Sequence, residues 1–245
     1  MTNALSTTLE LPKPVSHVQF VSSNNGEAKL PSEQPQLYLY GSGGHARSLT
    51  ETAIAAGFFV AAYVDARRAG ETQLGFDVVA ELPTSTDHLC VTVAIGDNFH
   101  RQRVSQELLR SRPHVTFPAL IHPSASVSSF ATIGDHVCIL QNATVGTQAV
   151  LSEGALVNTA ASIDHDCQIG PYASLGPGST LGGTVSIGER SSIGLGAKIH
   201  HARTIGNDTL LGAGSYLHSD LGHAVVAFGS PARIVRSRSM GDPYL

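Results

Sequence analysis

The chain has 245 residues, 42% of them hydrophobic, with 25 glycines, only 14% charged residues and a formal net charge of −4. This is enough apolar material for one large domain or two ordinary ones, and the acidic balance supplies no basic footprint, which excludes nucleic acid as an expected partner. No apolar run reaches the roughly 18 residues of a membrane span, the opening MTNALSTTLE lacks the charged start and apolar core of a secretory leader, and three cysteines (Cys90, Cys138, Cys167) without metal-type spacing predict a reduced, cytoplasmic chain.

Residues 1–35 carry Pro12, Pro14, Pro31, Pro35 and the cluster SSNNG, and read as a flexible extension. Residues 36–117 alternate apolar strands with helices. LYLY reads as a buried strand, GSGGHA as a glycine turn, RSLTETAIAAG as a helix ending at Gly57 and FFVAAYVD as a second strand. VTVAIG is a third strand, followed by a helix around FHRQRVSQELLRSR. That order predicts a parallel sheet covered by helices. GSGGHA also fits G-x-G-x-x-A, in which glycines let backbone amides approach phosphate at a helix N-terminus, and Asp65 ends the second strand where an acid meets a ribose hydroxyl. The region spans only about 80 residues, roughly one mononucleotide half of such a fold. A nucleotide handle on a substrate therefore fits it better than a redox cofactor.

From Ile121 an aliphatic residue recurs at every sixth position without a miss, through Val127, Ile133, Ile139, Val145 and onward to Leu217. A fixed six-residue period predicts a parallel β-helix over residues 118–236, with the aliphatic side chains pointing into a narrow prism. The next residue is often glycine (Gly134, Gly146, Gly170, Gly176, Gly182, Gly188), which suggests that the chain corners there. Residues 237–245 are left as a C-terminal tail. Within the repeat, IDHDCQIG places His165 between two aspartates, and imidazole beside carboxylate is a general-base arrangement.

Three stretches, YLYGSGGHARSL, VAIGDNFHR, and the run from IHPSASV through IDHDCQIG to GSPARIV, resemble the hexapeptide-repeat sugar-nucleotide acetyltransferases, the sialic acid O-acetyltransferase type that includes bacillosamine and perosamine N-acetyltransferases. The resemblance implies a small Rossmann-like N-terminal domain followed by a left-handed β-helix with 18 residues per coil, assembled as a homotrimer with each active site between two subunits. It implies acetyl-CoA as co-substrate without a metal, and the amino group of a nucleotide-linked amino sugar as acceptor. By the same resemblance His165 is the general base, Asp166 orients its ring and the Gly183 amide serves the oxyanion. Ser174, Gly183, Leu195 and Ala213 then line the coenzyme groove, while Gly43, His45, Asp65, Asn98 and Asn158 meet the nucleotide sugar. An 18-residue coil stacks His165 under Gly183, about 4.8 Å away.

Two positions depart from the family pattern. Ala66 stands where a second acid is common, which leaves the base open between uracil, guanine and thymine. Ser174 stands where many relatives carry a histidine near the thioester. Other readings are a sugar O-acetyltransferase of the same fold, a zinc carbonic anhydrase-like protein using His165, His200 and His201, and a non-catalytic assembly subunit. Cys167 reads as a nucleophile or, more simply, as a core or subunit contact. His122, His136, His218 and His223 read as coil-surface residues.

Overall fold

The computed structural model describes residues 34–84 and 88–243, so the extension read at residues 1–35 lies almost wholly outside the described residues. The N-terminal part runs β1 (Gln36–Tyr40), α1 (Gly44–Ala55), β2 (Phe59–Val64), β3 (Thr72–Gln73), β4 (Phe76–Val79), β5 (Leu89–Val93), α2 (Asn98–Ser111) and β6 (Val115–Thr116). Its sheet has the order β3-β4-β2-β1-β5-β6, parallel except for the β3–β4 pair. Because β1 lies between β2 and β5, the chain reverses its winding direction beside β1, and such a switch point opens a crevice beyond the carboxyl ends of the strands. Gly41 occupies that edge at φ +108°, where a side chain would also stand 3.3 Å from the Ala94 carbonyl. Glycine is required there on both counts.

Leu37, Leu39, Leu49 and Ala53 are fully buried and share one apolar cluster with Leu120, Cys138, Leu140 and Leu156 of the repeat. The sheet and the prism are therefore joined by a common core. The buried positions of α2 are Asn98, Arg101, Gln102, Ser105 and Leu108, one helical stripe that is polar for most of its length. Gln102 bridges Glu189 and Arg190, and Arg190 forms a bidentate pair with Asp208 at 2.8 and 2.7 Å, so this stripe docks on a corner of the prism through hydrogen bonds.

The repeat forms a prism with three parallel faces built from two-residue rungs. The first face starts at Leu120–Ile121, the second at Ser126–Val127 and the third at Thr132–Ile133. Successive rungs of a face are 18 residues apart, as in Ser162↔Thr180 and Ile163↔Leu181. The aliphatic series is buried inside, together with a second series of small residues that includes Ala149, Cys167 and Val185. Cys167 thus points into the core, and burial pushes its thiol pKa up, which favours the inert thiol over a nucleophile. A hairpin of Val225–Gly229 and Ala232–Ser237 closes the first face. The residues beyond it return to α2, bringing Gly241 within about a van der Waals contact of Phe99.

Two expectations change. The glycine after each aliphatic residue is not a left-handed corner; a Cβ on Gly170 would lie 2.8 Å from the Ile187 carbonyl and 2.9 Å from the Glu189 nitrogen, so close approach of the next coil selects it. The left-handed position is two residues further on, at every sixth residue from His136 to Gly214, and glycine fills it only at Gly154, Gly178, Gly196 and Gly214. Elsewhere the conformation costs about 1–2 kcal/mol per residue, which three buried aliphatic side chains per coil, each contributing roughly 1.5–3 kcal/mol, outweigh. The second change is His136, which is not on the surface. It is 2% exposed, stacks on Phe117 and accepts the Val93 N–H at 3.0 Å through Nε2.

Candidate active site

Between the second and third faces the chain turns through Asp164, His165 and Asp166. Asp164 Oδ1 accepts the His165 backbone N–H at 2.8 Å and closes a local turn. Asp166 is left-handed, at φ +57°, a conformation in which aspartate is enriched among non-glycine residues. Its Oδ2 lies 2.6 Å from His165 Nδ1. This bond puts the ring proton on Nδ1 and leaves the Nε2 lone pair outward. The Asp166 hydrogen bond, followed by the charge of Asp164, raises the His165 pKa above its ordinary value. Nε2 lies over Gly183, where any Cβ would overlap it. The Gly183 N–H has no hydrogen-bond partner among the described residues. A proton acceptor and an open amide donor thus share one half-exposed corner, as acyl transfer through a tetrahedral oxyanion requires.

The other expected residues fall in two further groups. Leu195, 62% exposed, and Ala213 stack on adjacent coils at the corner between the first and second faces, where the Gly214 N–H meets the Leu195 carbonyl at 2.7 Å. Asn158 shares that corner and accepts the Thr159 N–H at 2.8 Å. Gly43, His45 and Asp65 gather at the carboxyl edge of the sheet. Gly43 precedes α1 without any side-chain cap, and nothing lies within 4 Å of a Cβ placed on it, so the first-turn amides are open to an anion. Asp65 accepts the Ser42 hydroxyl at 2.6 Å, a bond that holds its carboxyl below the usual range. Burial, with the Arg101 charge behind it, drops the His45 pKa to about 4, so its imidazole is neutral at physiological pH.

Asn98 and Ser174 come together with each other rather than with an opening. Asn98 is fully buried, and its amide nitrogen donates to Ser174 Oγ at 3.1 Å and to the Arg190 and Ser191 carbonyls at 3.2 Å each. Ser174 donates onward to Ser192 at 3.3 Å. Within one chain the three groups lie on different parts of the prism surface: His165 with Gly183 at one corner, Leu195 with Ala213 and Asn158 at another, and the glycine turn on the domain packed against the first face.

Residues 36–108 match the family described as PglD N-terminal domain. A perosamine N-acetyltransferase from Caulobacter crescentus, solved as a single-histidine variant in complex with CoA and GDP-perosamine, is 36% identical, with 82% of this chain and 97% of that chain covered and a TM-score of 0.75. This chain belongs to the hexapeptide-repeat sugar N-acetyltransferases. The acetyltransferase domain of PglB from Neisseria gonorrhoeae, solved in complex with acetyl coenzyme A, is 33% identical, with 82% of this chain and 100% of that chain covered and a TM-score of 0.77. No curated protein matches the chain in sequence.

The prism is thus the left-handed β-helix of the sugar N-acetyltransferases. Among the described residues no helix is long and apolar enough to cross a membrane, and no three histidine, cysteine or acidic side chains converge as a metal site. His200 and His201 stack on one another at 3.9 Å between ring centroids, and His200 Nδ1 meets the Tyr216 hydroxyl at 3.1 Å. Three residues that organise the sugar N-acetyltransferase were missed in the sequence: Ser42, which fixes Asp65; Arg68, whose Nη1 donates to the Ser42 carbonyl at 2.7 Å and to Gln73 at 3.0 Å; and the buried Arg101. The polar residues of α2 at three- and four-residue spacing were the one available signal for Arg101, but the same spacing describes an ordinary solvated face.

Proposed function

We propose that this protein transfers the acetyl group of acetyl-CoA to the amino group of a nucleotide-linked amino sugar, with His165 as general base. The carrying observation is the His165 ring: Nδ1 is held by Asp166 at 2.6 Å while Nε2 faces the open space over Gly183. The relatives support the chemistry, since one is solved with CoA and GDP-perosamine and the other with acetyl coenzyme A. In the former a histidine has been replaced and both ligands are still bound, as expected where a histidine serves chemistry rather than binding.

The sugar amine attacks the thioester carbonyl and passes a proton to Nε2. The imidazolium is stabilised by Asp166, and the oxyanion accepts the Gly183 N–H. Collapse breaks the carbon–sulfur bond, and the imidazolium returns the proton to the coenzyme A thiolate. The amide product and free thiol account for every atom. The sugar's nucleotide lies on Gly43, His45 and Asp65, and the coenzyme along Leu195 and Ala213. Because these groups occupy different sides of one prism, the reading includes a homotrimer in which neighbouring copies complete each site. The three free thiols fit a reducing, cytoplasmic setting.

Turnover is measured as coenzyme A release with UDP-, GDP- and dTDP-linked amino sugars. Release with at least one of them is expected, and release with none of them overturns the reading. Light scattering at micromolar concentration reports a trimer; a monomer defeats the shared site.

A further inference from the structure

The chemistry above leaves Arg101 unused, yet its guanidinium touches both halves of the molecule. The residue is 3% exposed. Nη1 donates to the Ile95 and Gly96 carbonyls, both at 3.1 Å, and Nη2 donates to Asn98 Oδ1 at 2.9 Å. These bonds hold the loop that leaves the carboxyl end of β5. On the other side Nε and Nη2 each meet the Gly154 carbonyl at 3.3 Å, and Nη2 meets the Tyr172 carbonyl at 3.0 Å. Gly154 and Tyr172 are 18 residues apart, so the fork grips two consecutive coils.

The loop it holds is a wall of the glycine turn. A Cβ on Gly96 would lie 3.8 Å from the His45 Cβ, and the Ala94 carbonyl stands 3.3 Å from the Cβ position of Gly41. A planar fork with several donors in fixed directions can satisfy carbonyls on both sides at once, whereas an ammonium on a flexible stem cannot.

We infer that Arg101 is a positioning residue for the nucleotide-sugar half of the reaction, acting through Gly96 and His45 by tying the ligand-bearing edge of the sheet to two coils of the prism. The inference deepens the proposed function and rests on it for its kinetic consequence. The coils gripped by Arg101 are continuous with the coil that carries His165, so the distance from the nucleotide edge to the acyl-transfer corners of the assembly depends on this one side chain. Charge is a second effect of the same placement: a cation behind His45 disfavours its imidazolium and keeps the turn's histidine neutral.

The test compares Arg101→Lys with Leu108→Ala, a buried apolar residue of the same helix that belongs to a different cluster. Arg101→Lys is expected to lower kcat/KM for the nucleotide amino sugar by about 10²-fold, the effect of misplacing a reactant by about 1 Å. The loss falls mainly in the sugar KM, while the KM for acetyl-CoA stays within about twofold. Leu108→Ala lowers the melting temperature and leaves the sugar KM unchanged. Amide exchange gives a readout independent of turnover: residues 94–98 and 41–45 exchange at least about tenfold faster in Arg101→Lys and not in Leu108→Ala. Arg101→Met, which removes every donor, gives the same pattern where the lysine variant fails to fold. A lowered melting temperature with unchanged sugar KM and unchanged exchange in both segments overturns the inference. A wild-type protein inert with every nucleotide sugar overturns the proposed function and leaves the exchange result to decide the positioning role.

Discussion

The imidazole of His165 lies directly over Gly183, the residue 18 positions later and one coil away, so closely that a methyl group there would overlap Nε2 and Cε1. Gly183 is not in the left-handed region, so the backbone itself accepts alanine. Gly183→Ala is therefore expected to leave the melting temperature nearly unchanged while displacing the ring and crowding the amide. A lost oxyanion donor lowers kcat by about 10²–10³. Thermal melting and single-turnover rates check this, and a wild-type rate in the variant removes Gly183 from the site.

His165→Asn is expected to lower turnover by about 10²–10⁴, the range for a general base. Coenzyme A binding, measured by calorimetry, stays close to wild type, because Leu195 and Ala213 belong to another corner. Equal losses in turnover and coenzyme affinity would mean that the histidine binds the coenzyme rather than serving as the base.

Asp166 raises the pKa of His165, so the basic form needed for catalysis is populated only above a pKa higher than the ordinary value of about 6.5. The acid limb of kcat/KM should therefore lie above that pH in the wild type. In Asp166→Asn the carboxylate is gone and the limb moves down, although asparagine still tolerates the left-handed backbone. The substrate amine titrates identically in both proteins, so the difference between their profiles isolates Asp166. A limb that does not move shows that Asp166 serves only the turn.

Burial, with the Arg101 charge adding to it, holds the pKa of His136 down to about 3 and that of His45 to about 4. The unfolded chain takes up these protons near pH 6.5 and the folded one does not, so stability is fully present above pH 6.5 and falls as the pH drops toward those values. Each such proton contributes a slope of about 1.4 kcal/mol per pH unit. His136→Asn, measured by urea unfolding from pH 7 to pH 4, should be less stable at pH 7 but show a shallower acid slope. An unchanged slope means that His136 is charged or exposed in the folded protein.

The two kinds of glycine in the prism should respond oppositely. Gly178 is left-handed at φ +66° with open space around it, so Gly178→Ala costs only the conformational strain, about 1–2 kcal/mol. Gly170 faces the backbone of the next coil, which cannot yield without parting the coils, so Gly170→Ala costs more. Urea midpoints compare them, and the reverse order would return the Gly170 position to a corner role.

The six-residue period from Ile121 to Leu217 was enough to settle the prism, because every aliphatic position is dictated by the same narrow interior and no alternative period satisfies the series. The order of strand, glycine turn and helix from Leu37 to Ala55 was legible for a similar reason, since a buried strand and Gly41 leave few local solutions. His165 over Gly183 followed once the coil length was supplied. The tertiary structure alone decided what the polar residues of α2 do: Asn98, Arg101, Gln102 and Ser105 have the spacing of a solvated stripe, and only the corner of the prism, with its row of carbonyls and Arg190, turns that stripe inward. It likewise decided that His136 is buried and that the post-aliphatic glycines answer to the neighbouring coil. Those outcomes depend on groups 18 to 90 residues away, whose approach is set by packing and leaves no mark in the local pattern.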